Sequence, residues 1–255
     1  MNQTITLISD WRLRDPYVAM FKGELLAAMP EINILDITHH VDLSNIAQTA
    51  FLMRQSYDRF PKGSIHLLLT NVSGNSTFAP VLLEHDGHCF IGEDNGIFTL
   101  MFGEEELVGR QFSKIENLTV FEKIIQLSKA VADGNVLKIT KEYDHFEHKI
   151  TEQAFHIPPM KTIEGEIIYV DAYCNAITNI PVKMFKEAVQ NHPFTAIVQS
   201  KNDWKIQLYH SDYCSEKEMY LTDSSLNCME ITMTNGRVAA LADLRVGDKV
   251  TITYE

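Results

Sequence analysis

Residues 8–18, with the sequence ISDWRLRDPYV, decide the fold of the first half of this chain. Asp10 ends an apolar run, and Asp15 precedes Pro16, a residue favoured at the first position of a helix. In an open α/β sheet, ligands bind where strands end and helices begin, so both acids lie where a site is expected. We expect Asp15 to cap the helix. Asp10 needs a partner or a ligand, because a carboxylate directly after a buried strand is costly to leave unpaired.

Strands and helices alternate on both sides of this segment. The apolar spacing predicts strands and helices in turn over residues 4–9, 17–29, 32–37, 45–60 and 64–72. This β-α-β-α-β order predicts a parallel sheet with right-handed crossovers. An Asp-Gly pair at 86–87 predicts a hairpin over residues 81–91, and a further helix is predicted over residues 119–133.

The pattern changes in the second half of the chain. Charged residues 141–149 and a Pro-Pro pair at 158–159 precede a series of short predicted strands. These strands cover residues 165–171, 196–199, 204–209, 229–233 and 249–254. Their spacing predicts a small antiparallel barrel. We therefore predict two domains, residues 1–160 and residues 161–255.

The overall composition excludes several classes of partner. The formal net charge is −12, so nucleic acid and anionic membranes are not expected as partners. The four cysteines are scattered without a C-x-x-C pair, which is typical of reduced thiols in the cytoplasm. The N-terminus lacks the features of a secretory signal, and the apolar runs are too short to cross a bilayer. A cytoplasmic location is expected.

Six motifs then occur in order along most of the chain. They are SDWRLRDPYVAMFKG (9–23), DITH (36–39), TAFLMRQSYDRFPKGSIH (49–66), EDNGIFT (93–99), VDAYCNAITNI (170–180) and the group DSS, MEIT and VGD within residues 223–248. Together these motifs resemble the S-adenosyl-L-methionine (SAM) hydroxide adenosyltransferases, a family related to the SAM-dependent fluorinase and chlorinase. The resemblance implies a Rossmann-like N-terminal domain, a C-terminal β-barrel and a homotrimer with its sites between subunits.

The resemblance also implies an activity and a set of site residues. Water, or another small nucleophile, would attack the ribose C5′ of SAM and release adenosine and L-methionine, with no separate cofactor or metal. The implied ligand-binding residues are Asp10 (ribose hydroxyls), Asp15 (methionine ammonium), Asn175 (ribose or adenosyl group), Ser224 or Ser225 (methionine carboxylate), the backbone at Met233 and Asn235 (adenine), and Asp94 and Asn95 near the site. An ionised carboxylate facing two ribose hydroxyls makes charge-assisted hydrogen bonds. Asp10→Ala is expected to abolish nucleoside binding and to leave stability near that of the wild type.

The chain departs from the family where water is activated. The hydrolytic members carry an Asp at the end of the third strand, and this position is Asn71 here. Their Arg is replaced by Phe78 or Ala79, and residues 121–127 lack the family's His. Asn71 is the candidate catalytic residue, because its amide oxygen can orient water, although it cannot take a proton at neutral pH. Slow hydrolysis, a different nucleophile, or binding without turnover is therefore expected.

Two alternative functions remain open on the sequence. One is a sensor or binding module that retains the SAM or adenosine pocket without the chemistry. The other is a metal-dependent hydrolase that uses Asp10, Asp36 and His39, a hypothesis which rests on residue types alone. Adjacent residues on a strand point to opposite sides, so His39 and His40 do not favour a shared metal ion.

Overall fold

The computed structural model describes residues 2–74, 77–103, 107–113, 117–234 and 236–255. The fold is mixed α/β with two sheets. The chain divides into two compact units, Met1–Thr151 and Glu152–Glu255. Within the described ranges, no helix is long and apolar enough to cross a membrane.

The first unit opens with the alternation that the sequence predicts. The elements are β1 (Gln3–Ser9), α1 (Tyr17–Ala28), β2 (Ile32–Thr38), α2 (Ile46–Arg54) and β3 (Ile65–Leu69). β1 pairs in parallel with β2 on one side and with β3 on the other. Because β1 lies between them, it is buried along most of its length.

The remaining elements of this unit make the sheet a mixed one. They are β4 (Val81–His85), β5 (His88–Gly92), α3 (Ile97–Phe102), β6 (Gly109–Phe112), α4 (Val120–Ala132) and β7 (Thr140–Tyr143). The strand order is β2-β1-β3-β5-β4-β6-β7. β5 is parallel to β3, whereas β4, β6 and β7 pair antiparallel. The sheet is therefore not parallel throughout. One side of it is extended by the hairpin of β4 and β5 and then by β6 and β7, two strands that the sequence pattern did not predict.

Local sequence explains where several elements turn or end. The predicted Asp86-Gly87 hairpin is confirmed, and both turn residues have left-handed backbones, with φ of 46° and 73°. The predicted helix over 45–60 is wrong in its second half, since α2 ends at Arg54. At this end the Ser56 N–H bonds to the Met53 carbonyl in a tightened turn, and the hydroxyl of Ser56 donates to the carbonyls of Leu52 and Met53, which competes with continued helix.

Helices cover both faces of this sheet. On one face, α1 and α4 pack together over Leu7, and α1 contributes Phe21 and Leu25 to this core. On the other face, α2 and α3 pack over Ile8. Successive residues of β1 thus serve opposite layers, as the period of a strand requires.

The second unit is a single curled sheet. Its elements are β8 (Phe155–Ile157), β9 (Thr162–Val170), β10 (Ala176–Pro181), α5 (Val182–Val189), β11 (Phe194–Gln199), β12 (Asp203–Ile206), β13 (Tyr209–His210), β14 (Tyr220–Asp223), β15 (Cys228–Thr232), α6 (Val238–Leu241) and β16 (Lys249–Tyr254). The main strand order is β12-β11-β16-β9-β10-β15-β14-β13. Ile206 of β12 and Leu221 of β14 share one core, so the sheet wraps around it.

The predicted antiparallel barrel needs correction in two respects. β13 and β14 are parallel, and β12 and β13 at the two ends of the path form no pair within the described residues. The sheet is therefore a half-barrel. The single strand predicted over residues 204–209 is two short strands that lie at opposite ends of the path.

Candidate functional site

The candidate residues of the first unit gather at one edge of its sheet. Because β2, β1, β3 and β5 are parallel neighbours, their carboxyl ends meet at this edge. The chain runs from β1 outward to β2 and then crosses back to β3 on the other side of β1. The strand order therefore reverses between β1 and β3, which is where open α/β sheets bind ligands. Asp10 and Asn71 stand on the two sides of this point.

Asp10 contacts the loops that follow both neighbouring strands. Its Oδ2 accepts the backbone N–H of Ser44 at 2.9 Å and that of Asn71 at 3.2 Å. Both donors have left-handed backbones, with φ of 60° and 53°. Within the described ranges, Oδ1 carries no hydrogen bond. The carboxylate is thus held from one side and open to a ligand from the other.

The end of β2 carries a separate polar network. His39 is buried, its Nδ1 lies 2.7 Å from the Ser9 hydroxyl, and its Nε2 lies 3.1 Å from Asp36 Oδ1, off the hydrogen-bonding direction. Lys22 donates to Asp36 Oδ2 at 2.6 Å. Burial acts to raise the pKa of Asp36, but the hydrogen bond from Lys22 and the nearby His39 ring outweigh it, and the pKa is lowered.

This network leaves the metal hypothesis without a ligand set. Asp36 contacts both His39 and Lys22, whereas Asp10 contacts backbone N–H groups. Over the described part of the chain, no three His, Cys, Asp or Glu residues form a group suited to a metal ion.

The turn after β3 holds the candidate catalytic residue. Asn71 has an exposed side chain, and its backbone N–H is the group that reaches Asp10. Ser73 donates its N–H and its hydroxyl to Glu93, at 2.6 and 2.7 Å. Phe78, one of the two residues that stand in place of the family's Arg, is buried in the core. The buried Lys123 donates to the Phe78 carbonyl at 2.7 Å, a contact that the sequence motifs do not reveal.

Asp94 and Asn95 follow β5 at the same edge. Asp94 Oδ2 accepts the Tyr143 hydroxyl at 2.7 Å and the Glu147 N–H at 2.8 Å. Burial, and then the Asp94 carboxylate, raise the pKa of Tyr143, so its hydroxyl remains a donor. Asn95 Nδ2 lies 3.5 Å from the Thr70 carbonyl, a long contact. Asp94 Oδ1 and Asn95 Oδ1 are buried acceptors that have no hydrogen bond within the described ranges.

Asp15 does not have the helix-capping role that the sequence predicts. α1 begins at Tyr17, its N-cap is Pro16, and no side chain caps it. Asp15 lies one residue too early and is exposed. Trp11 packs against two aromatic side chains: its ring centroid lies 5.7 Å from that of Phe21 and 5.3 Å from that of Phe121. Asp15 remains available to a ligand, whereas Trp11 is partly buried and packs against the core.

The second unit contains a cavity of about 740 Å³ beside Asn175 and Met233. Asn175 is nearly buried; its Oδ1 accepts the Thr232 hydroxyl at 2.7 Å and its N–H donates to Asp171 at 2.8 Å. Glycine at position 236 allows the Met233 side chain to pack closely against the backbone in the cavity wall, because a Cβ there would lie 2.1 Å from Met233 Cγ. The predicted contact at Asn235 lies outside the described residues.

Ser224 and Ser225 are not brought to this cavity within the second unit. They lie in the turn between β14 and β15, where Ser224 donates its N–H to the Cys228 carbonyl. Met233 follows the opposite end of β15. The five residues of β15 separate the two ends by roughly 16 Å at the usual rise of a strand.

A buried acid behind the cavity wall was missed by the sequence analysis. Tyr213 lines the cavity and donates its hydroxyl to both carboxyl oxygens of Glu230, at 2.9 and 3.1 Å. Glu230 is 2% exposed. Burial raises the pKa of Glu230 to about 7, the Tyr213 hydrogen bond opposes this, and the charge of Asp171 adds to it. The alternation of β15, which puts Met229 and Ile231 in the core, was the signal that Glu230 faces the other side.

Most candidate residues of this α/β fold thus lie in two places, an edge of parallel strands that carries carboxylates and a separate cavity in the second sheet. The family model of the SAM hydroxide adenosyltransferase N-terminal domain matches residues 5–135, and that of the C-terminal domain matches residues 165–251. The chain therefore belongs to the SAM hydroxide adenosyltransferase family.

Two curated relatives carry the name (R)-S-adenosyl-L-methionine hydrolase. The protein from Methanocaldococcus jannaschii is 26% identical over 187 residues, which are 69% of this chain and 66% of that protein. The protein from Thermus thermophilus is 27% identical over 96 residues, which are 38% of this chain and 37% of that protein. The matched regions thus span less than two thirds of either relative.

Two solved structures share the fold over nearly the whole chain. An uncharacterized conserved protein from Thermotoga maritima has a TM-score of 0.85 at 19% identity, covering 98% of this chain and 99% of its own. A conserved hypothetical protein from Thermus thermophilus has a TM-score of 0.71 at 20% identity, covering 99% of this chain and 100% of its own. At these identities the likeness supports the fold alone.

Proposed function

We propose that this protein binds SAM and hydrolyses it to adenosine and L-methionine, with Asp10 holding the ribose. The observation that carries the proposal is the hydrogen bonding of the Asp10 carboxylate, in which one oxygen accepts two loop N–H groups. An ionised carboxylate offers about four lone-pair positions. Ser44 and Asn71 occupy two of them at Oδ2, and Oδ1 is left to accept the two neighbouring hydroxyls of a ribose. The first sheet would thus bind its ligand as Rossmann-like sheets do, at the reversal of strand order.

The remaining contacts are proposed from the family resemblance. Asp15 would bind the methionine ammonium, and its exposed carboxylate is compatible with this role. Asn175 and Met233 would bind the adenosyl portion, for which the cavity in the second unit is large enough. Ser224 or Ser225 would bind the methionine carboxylate. These two serines lie at the far end of β15 from Met233, so they would meet the ligand from another direction.

The proposed homotrimer brings together parts of different subunits at each site. In it, the N-terminal domain of one subunit and the C-terminal domain of its neighbour would enclose each SAM. Leu13, Tyr17 and Met20, close to Asp10 in sequence, are 62%, 52% and 51% exposed. Exposed apolar side chains in such number favour coverage by a partner. Light scattering of the purified protein tests this part of the proposal.

Attack of water at C5′ of SAM requires little from the protein except correct positioning of the two reactants. When C5′ is attacked, the sulfonium loses its positive charge as methionine leaves. Orientation of the water and exclusion of bulk solvent therefore supply much of the rate. Asn71 can orient water through its amide oxygen. A general base would add about 10²–10⁴-fold.

A second candidate is a binding protein without turnover. It is favoured by Asn71, because an amide stands where the hydrolytic members have a carboxylate. Incubation with SAM, followed by chromatography for adenosine, separates the two functions. Adenosine formed no faster than in buffer, with SAM binding intact by calorimetry, excludes hydrolysis and leaves binding. Absence of SAM binding refutes hydrolysis, and absence of both SAM and adenosine binding refutes the two functions together.

A further inference from the structure

Glu93 and Ser73 form a pair at the carboxyl edge of the first sheet which the contacts proposed above leave unused. Both oxygens of Glu93 accept from Ser73, with Oε2 2.6 Å from the backbone nitrogen and Oε1 2.7 Å from the hydroxyl. Both side chains are half-buried. Glu93 directly follows β5, and Ser73 lies in the turn after β3, the neighbouring strand.

Two carboxylates hold the turn that carries Ser73. On one side Asp10 accepts the N–H of Asn71, and on the other side Glu93 accepts both donors of Ser73. Asn71 and Ser73 are therefore fixed beside the position proposed for the ribose. Asp94, the remaining acid after β5, instead bonds to Tyr143 and the backbone at Glu147.

The direction of the hydrogen bond makes this pair chemically useful. A serine hydroxyl that donates to a carboxylate keeps its own lone pairs as acceptors. A water that donates to Ser73 Oγ would thus be linked to Glu93 through one intervening hydroxyl. A general base acts on a proton within hydrogen-bond reach, either directly or through one bridging water, and the Ser73 hydroxyl would take the place of that water here.

We propose that Ser73 and Glu93 accept the proton of the attacking water, the role for which the amide of Asn71 is unsuited. Ser73 contacts the water, and Glu93 acts through Ser73. The inference rests on the proposed function, since it requires SAM beside this turn.

The step balances in atoms and in charge. The water oxygen bonds to C5′, and the C5′–S bond breaks with its electron pair passing to sulfur, which becomes the thioether of methionine. One proton of the water passes to Ser73 Oγ, while the proton of Ser73 passes to Glu93 Oε1. The sulfonium charge and the carboxylate charge disappear together, and Glu93 later returns its proton to solvent.

The variants Ser73→Ala, Ser73→Thr and Glu93→Gln test this pair. Loss of the base is expected to lower kcat about 100-fold in Ser73→Ala and Glu93→Gln, the lower end of what general bases contribute. KM should change by no more than about threefold, because neither residue is proposed to bind SAM. Ser73→Thr keeps the hydroxyl and should retain kcat to within about tenfold. The decline of kcat in acid, where a carboxylate base is protonated, should disappear in Glu93→Gln.

Asp86→Asn is the matched control. Asp86 is an exposed carboxylate paired with Lys62 in the turn between β4 and β5, and Asn tolerates its left-handed backbone. Its kcat and pH profile should equal those of the wild type.

Each result bears on the proposal. A Ser73→Ala enzyme as active as Ser73→Thr would overturn the relay, as would an acid decline that persists in Glu93→Gln. If Glu93→Gln fails to fold, the two Ser73 variants decide, because they differ in the hydroxyl and one methyl group. A wild-type protein that binds SAM but forms no adenosine also overturns the relay, while the SAM site stands. A wild-type protein that does not bind SAM refutes the proposed function itself.

Discussion

Replacing Asp10 should separate its structural contacts from its ligand contacts. Asp10→Ala removes two N–H···carboxylate bonds. Hydrogen bonds to charged groups contribute about 1.5–3 kcal/mol each. Ser44 and Asn71 are exposed, so water partly replaces the lost acceptor, and a loss of about 2 kcal/mol in unfolding free energy is expected for the pair. The sequence alone predicts stability near the wild type for this variant, and the two loop contacts change that expectation.

Asp10→Asn is the sharper perturbation. Its amide oxygen can take the place of Oδ2 and still accept from both loops, although without the charge, so stability should fall by only about 1 kcal/mol. Its NH₂ group, however, presents donors to the ribose hydroxyls, which are no longer matched by two acceptor positions. Losing about 3 kcal/mol of charge-assisted hydrogen bonding raises Kd for adenosine about 100-fold.

Calorimetric titration with adenosine and with SAM measures this effect, and urea unfolding followed by circular dichroism measures stability. Asp15→Asn is the matched control, because it makes the same chemical change five positions along the same segment. It should leave adenosine binding unchanged and weaken SAM binding, since only SAM carries the ammonium group. If Asp10→Asn binds adenosine within threefold of the wild type, the assignment of Asp10 to the ribose is wrong.

Three further predictions concern pH and catalysis. Burial and then His88 lower the pKa of His66 to about 3. On acidification His66 is therefore protonated in the unfolded chain before it is protonated in the folded protein, and the free energy of unfolding should fall by about 2 kcal/mol between pH 7.5 and 5. His66→Phe should reduce this loss in urea unfolding, and an unchanged loss would contradict the prediction. The pKa of Glu230 is raised, so its ionisation opposes folding above pH 4.5; Glu230→Gln should raise the unfolding free energy at pH 8, by about 3 kcal/mol at most, with no gain at pH 4. Asn71→Asp alone should raise adenosine formation by less than about tenfold, since the family's Arg and His are also replaced; a larger rise would show that the missing carboxylate alone limits the rate.

The first half of the fold was predictable because its signals are local. Apolar runs and helical spacing identify β1 to β3 and the two helices between them, and Asp-Gly identifies the hairpin of β4 and β5. The end of α2 was not predictable from periodicity, because it depends on the hydroxyl of Ser56 bonding to carbonyls of the last turn. The Asp15 cap failed because α1 starts one residue later than the Asp-Pro pattern indicates.

The second half and the site depend on contacts between distant residues. β10 and β14, which the strand pattern missed, are defined by pairing with β15. Asn175 meets Thr232 across 57 positions of sequence. Motifs placed Asp10 and Asn71 near strand ends, but the bond between the Asn71 N–H and Asp10 requires β1 and β3 to lie side by side. The pairs Ser73–Glu93 and Tyr213–Glu230 follow from the same kind of long-range pairing.

Position 71 accepts an amide or a carboxylate at similar cost to the protein. Its φ of 53° is a conformation in which Asn and Asp are enriched among residues other than glycine, and its backbone N–H, common to both, makes the bond to Asp10. A single nucleotide change exchanges the two side chains and leaves the bond from the backbone N–H of residue 71 to Asp10 in place. The turn after β3 can therefore exchange an amide for a carboxylate without a change in its backbone, so its conformation does not depend on which of the two side chains this position carries.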